Sequence, residues 1–158
     1  MLIFSNAIAI LDFVVLACLI VVAWIDFKTM EIPDSLNIAI AACGIVAIFA
    51  GSDVAVKPHL LGVAVAAVPL LIIAFFIEGA FGFGDVKLMA AAGLFLGWRR
   101  CLAALVIGLI IGGVYGAILL VTKKKKRKEH FAFGPALCVG IGIAIFSGDA
   151  LIAWYLSV

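Results

Sequence analysis

The fold class this chain predicts is all-α: a polytopic membrane bundle of about six transmembrane helices. Of its 158 residues, 68% are hydrophobic and only 13% are charged, and the mean hydropathy is +1.40. Apolar runs close to the roughly 20 residues that span a bilayer recur along nearly the whole length. These runs are continuous rather than alternating, which excludes a β-barrel. No stretch is polar enough for a separate soluble domain, so residues 1–158 read as one membrane-embedded domain.

The first span is expected over residues 3 to 25. It lacks a basic leading segment, and no small-x-small site followed by a polar domain comes after it, so it reads as a retained helix rather than a cleaved signal. The second is expected over 34 to 51, opened by the turn Ile32-Pro33-Asp34 with Pro33 at the first helical position. The third covers 59 to 78, with a kink at Pro69. The fourth, 86 to 98, is short; the fifth runs over 100 to 121 and the sixth over 135 to 156.

Six spans place both chain ends on one side. The loops after spans one, three and five hold eight basic residues: Lys28, Lys87 and the run Lys123 to Lys128. The other side holds three, Lys57, Arg99 and Arg100. The positive-inside rule makes the eight-charge side cytoplasmic and puts both termini outside the cytoplasm. Cys18, Cys43, Cys101 and Cys138 are isolated within apolar runs, with no Cys-x-x-Cys pair, so neither a metal knuckle nor a redox motif is read.

Two aspartates stand out against this background. Asp26 precedes the breaker-rich Ile32-Pro33, and Asp85 follows Gly82-Phe83-Gly84. Both fall on the cytoplasmic side of a topology counted from basic residues alone. An ionisable residue at a membrane span is a functional hypothesis by default. A pair of carboxyls about 3 Å apart cannot both ionise; one takes a proton from water while the other, protonated, polarises a scissile carbonyl. That is aspartyl-protease chemistry. The plainer alternatives are a helix cap at Asp85 and a turn at Ile32-Pro33-Asp34. Gly82 and Gly84 are expected to supply unusual φ values and close approach to a substrate strand.

Asp26-x5-Ile32-Pro33-Asp34-x-Leu36 and Gly82-x-Gly84-Asp85-x-Lys87-Leu88 resemble the two signature segments of type IV prepilin peptidases, which are Gly-x-Gly-Asp intramembrane aspartyl proteases. Phe133-Gly134-Pro135-Ala136-Leu137 resembles that family's Pro-Phe-Gly-Pro, with Ala132 where the first proline is usual. The similarity covers roughly residues 20 to 145, and the three segments come in the family's order. The resemblance implies cleavage of a basic leader from prepilin-like precursors at the cytoplasmic face of a bacterial inner membrane, with Asp26 and Asp85 as the catalytic pair. Longer members carry two Cys-x-x-Cys pairs and methylate the new amino terminus. This chain looks like the short members of tight-adherence (TadV/CpaA-like) pilus systems, which implies a peptidase without methyltransferase, metal or cofactor. An archaeal-type preflagellin peptidase is the nearest alternative.

Gly82, Gly84, Lys87 and Pro33 are the candidate substrate-binding residues. Lys87 either snorkels to the interface or steers a substrate carboxylate. Asp34 reads as a turn or cap residue rather than a third acid. Asp12 lies fourteen residues before Asp26, within about 40° on the same helical face, and should find a polar partner inside the bundle. Asp149 reads as solvated near the outer surface. Glu31 and Glu78 are either leader contacts or ordinary loop charges. The lysine run reads as an orientation signal that contacts anionic lipid, and no nucleic-acid module accompanies it. Gly108, Gly112 and Gly116 form a small-residue stripe for close packing in the bundle or for dimerisation. The rival from another class is a small transporter using Asp12, Asp26 and Asp85 as a relay, which should distribute its acids through the membrane depth.

Overall fold

The computed structural model describes residues 2–50, 56–76, 81–122 and 132–156. They form five helices: α1 (Leu2–Thr29), α2 (Asp34–Ala50), α3 (Val56–Phe76), α4 (Phe83–Val121) and α5 (Gly134–Leu156). The all-helical membrane class stands. Large apolar side chains face outward along the bundle, among them Phe13, Ile20, Phe49, Phe75 and Phe146. By length and composition, three helical stretches can cross a membrane: Ala7–Thr29, Val56–Phe76 and Phe83–Leu119. Asp34–Ala50 and Gly134–Gly148 are shorter apolar helices.

The fourth helix is not one rod. Gly97 has φ 76° and ψ 168°, a conformation outside the helical range. Beyond it the chain folds back. Cys101 Sγ lies 3.8 Å from the Met89 carbonyl oxygen, whereas twelve residues of straight helix would separate them by about 18 Å. The first arm (83–96) and second arm (98–121) therefore sit where the sequence predicts spans four and five. Glycine makes the one-residue reversal possible, because this φ/ψ region is essentially closed to other residues. His59 on α3 secures the approach to the turn, with Nδ1 2.7 Å from the Leu94 carbonyl oxygen.

Small residues let the helices close up. Gly62 on α3 and Gly93 on the first arm face each other with no room for a Cβ on either. The second arm packs antiparallel to α5: Gly112 lies against Phe133, Gly108 against Leu137, and Gly148 against Arg100. The expected glycine stripe is thus used inside the bundle at Gly108 and Gly112. Pro69 lies within α3, which continues through it.

α1 ends where Met30 turns to φ 55°, with Thr29 Oγ1 donating to the Ile25 carbonyl at 2.9 Å. The Pro33 carbonyl accepts the first amide bonds of α2, from Leu36 at 3.2 Å and Asn37 at 3.4 Å. α2 therefore starts at Asp34, where the sequence places the second span, with Pro33 as its cap rather than its first helical residue. Trp24, with Lys28 4.4 Å over its ring, and Trp98, with Arg99 at 5.4 Å, mark opposite ends of the bundle.

Candidate active site

Asp26 continues the buried stripe of α1. Val15, Leu19 and Val22 precede it at three- and four-residue intervals, the spacing of one helical face. Asp26 is 5% exposed and Asp85 7%, and burying a charge at this cost requires partners. Asp26 Oδ2 accepts a 3.0 Å hydrogen bond from the Gly134 amide, 108 residues away. Gly134 opens α5, so the carboxylate sits at the positive end of a helix dipole. A Cβ at residue 134 would lie 2.6 Å from Asp26 Oδ2 and 2.9 Å from its Cγ. Only glycine brings this amide to the carboxylate.

Asp85 is held in a matching way. Gly82 caps the first arm of α4, its carbonyl accepting from the Asp85 amide at 3.1 Å and the Val86 amide at 3.4 Å. The Asp85 side chain reaches back, with Oδ2 accepting from the Gly82 amide at 3.0 Å. This is the carboxylate half of a capping box, with Asp85 in the first turn rather than at the cap. Its other oxygen, Oδ1, is buried without a hydrogen-bond partner.

The two carboxylates line one cavity of about 400 Å³, together with Glu31, Asp34, Phe83 and Lys87. They interact electrostatically across it. Lys87 is paired with Asp34, Nζ to Oδ1 at 2.8 Å and to Oδ2 at 2.9 Å, joining the first turns of α2 and α4. Pro33 does not line the cavity, although its neighbours Ile32 and Asp34 do.

The expected special φ at Gly82 and Gly84 is absent. Among described glycines only Gly97 has positive φ. Gly84 supplies space instead: a Cβ there would lie 3.0 Å from Ile32 Cβ and 3.3 Å from its Cγ1. The glycine of the second segment thus seats the isoleucine of the first. The third segment joins through Phe133, whose ring stacks edge-on against Phe81 at 4.7 Å.

Asp12 lies about 21 Å up α1 from Asp26, in the field of Arg100 on the second arm. Glu78, the lysine run and the side chain of Asp149 lie outside the described residues. Gly134 carries no side chain and leaves no chemical mark in the sequence. The available signal is Pro135 directly after it, which announces a helix start and hence exposed amides.

Sequence comparisons identify relatives of this chain. A sequence profile of the type IV leader peptidase family matches residues 13–117, which include both aspartates. A prepilin leader peptidase/N-methyltransferase of Legionella pneumophila is 37% identical over 145 residues, covering 87% of this chain and 50% of that protein. Proteins of the same description from Xanthomonas campestris pv. campestris and Bacillus subtilis are 32% and 31% identical over 149 residues, 90% of this chain and 52% and 58% of theirs. The chain spans about half the length of the curated relatives it matches. No solved structure gives a significant match. With two-thirds of its length under the family profile and relatives this similar across nearly all of it, the chain belongs to the type IV leader peptidase family.

Proposed function

We propose that this chain is an aspartic endopeptidase that removes the leader from type IV prepilin-like precursors, in particular those of Flp/tight-adherence pili. The observation that carries the reading is the pair of buried carboxylates, Asp26 and Asp85, presented by two helix ends to one cavity. Each fixes one oxygen on a backbone amide, from Gly134 and Gly82 respectively. One carboxylate takes a proton from water as the water oxygen adds to the scissile carbonyl. The other, protonated, donates to the carbonyl oxygen, giving a neutral gem-diol. Proton transfer to the leaving nitrogen then releases the leader acid and the mature amine, and the pair returns to its shared-proton state.

Gly82, Gly84 and Lys87 line the cavity that the substrate strand would enter, and Pro33 sets the turn between its lining residues Ile32 and Asp34. The reaction takes place at the cytoplasmic face of the inner membrane, in a single domain over residues 1–158 with six crossings and both termini outside the cytoplasm. Methyl transfer to the new amino terminus is not part of this activity. Incubating the purified chain with a tight-adherence prepilin tests the reading. The expected result is a shortened pilin whose production falls by about 10² to 10⁴ in Asp26→Asn and Asp85→Asn. Normal processing by either variant removes that residue from the pair. Cleavage of a preflagellin but of no prepilin would reassign the substrate.

A further inference from the structure

Three polar or charged residues are buried among the described residues: Asp26, Asp85 and Asn37, the last 6% exposed. Asn37 takes no part in the chemistry above. Neither its Nδ2 nor its Oδ1 has a hydrogen-bond partner, and Asp85 Oδ1 is the one other buried side-chain atom so placed among the described residues. Burying an amide without partners is costly, and native structures satisfy such groups with protein or with ordered water. The unmatched atoms are complementary: Nδ2 donates and the carboxylate oxygen accepts.

The helix register brings them together. Ile32 packs on Gly84, and Gly44 packs on the backbone of Leu94 and Phe95. Between these contacts Asp34 binds Lys87. α2 and the first arm of α4 therefore run side by side in the same direction. Asn37 precedes Gly44 by two turns and lies within about 20° of it around the helix. It therefore faces the first arm level with the buried Leu88 and Met89, one turn deeper than Asp85.

We propose that Asn37 is a positioning residue for Asp85, acting through one buried water molecule that accepts from Nδ2 and donates to Asp85 Oδ1. This deepens the peptidase reading and rests on it. Gly82 already holds Oδ2, so the bridge fixes the plane of the carboxyl. A carboxylate oxygen has two lone pairs, and the one not used by the bridge remains for the reaction. A water with two polar partners in a buried polar site is an ordinary structural element.

Asn37→Leu keeps the branched four-atom side chain and removes its polar atoms, while Asn37→Thr restores a hydroxyl. For Asn37→Leu we expect kcat for prepilin cleavage to fall about tenfold or more. KM should stay within about twofold, and the thermal midpoint should hold or rise, because an unmatched buried amide has gone. Asn37→Thr should recover most of kcat. A residue that only fills space would leave kcat unchanged in Asn37→Leu, and that result overturns the proposal. A second readout needs no substrate. The infrared carboxyl band of Asp85, assigned by its loss in Asp85→Asn, should move in Asn37→Leu and return in Asn37→Thr. An unmoved band also overturns the proposal. If the unaltered chain leaves the prepilin uncut, the functional reading fails, and the band still decides the role of Asn37.

Discussion

Gly134→Ala is the sharpest perturbation this site offers, because it adds one methyl group at a known distance from a proposed catalytic carboxylate. The new Cβ would lie 2.6 Å from Asp26 Oδ2, where ordinary contact begins near 3.4 Å, so the oxygen must retreat by about 0.8 Å. Its hydrogen bond to the Gly134 amide, now 3.0 Å, would lengthen beyond useful range. A hydrogen bond to a charged group contributes about 1.5–3 kcal/mol, and a displacement near 1 Å in a reacting group costs about 10²-fold. The two routes agree on a 10- to 150-fold loss at about 1.4 kcal/mol per decade. Alanine's helix propensity would return up to about 1 kcal/mol of stability, so the fold should survive. The assay is time-resolved prepilin cleavage by protein in lipid nanodiscs, beside thermal unfolding. Gly142→Ala is the control: it lies in the same helix, and its Cβ would meet only Leu16 Cδ2 at 3.7 Å. Gly134→Ala cleaving at the unaltered rate would refute the idea that this amide holds Asp26.

Gly84→Val should lower the cleavage rate more than the stability, by forcing Ile32 off the first turn of α4. Adding Ile32→Ala should restore part of the loss, and strict additivity in that double-mutant cycle would show the contact to be idle. Gly97→Ala should destabilise the bundle by about 1–3 kcal/mol, because its φ/ψ region is closed to alanine; unchanged unfolding in denaturant would contradict the hairpin. Reporters near Lys57 and after Val158 should read as outside the cytoplasm and one between Lys123 and His130 as inside; a cytoplasmic carboxyl terminus would end the six-crossing topology.

What the sequence reveals here follows from where the chemistry resides. Asp26 and Asp85 are conspicuous because carboxylates are costly in an apolar chain, and their flanking breakers mark helix ends. The division at residue 99 is legible as a short polar interruption, and the structure puts it two residues away, at Gly97. The glycines divide differently. Gly97 needs its φ, whereas Gly84 and Gly134 need the absence of a Cβ, and letters alone do not separate the two demands. The Lys87–Asp34 pair joins residues 53 apart, so it depends on how two helices align, which no local pattern encodes. Exposed as it is, the pair contributes at most about 1 kcal/mol.

The bond between Asp26 and Gly134 also sets an order of assembly. α1 leaves the ribosome before α5, and 108 residues separate the two partners. At about 5–20 residues per second, the first acid waits roughly 5–20 s for the amide that seats it. Until then Asp26 is a carboxylate at a membrane edge without its backbone donor. On the proposed reading, a nascent or truncated chain that ends before residue 134 should insert most of its helices and cleave no prepilin. On that reading biogenesis and activation become one event, completed when α5 enters the membrane.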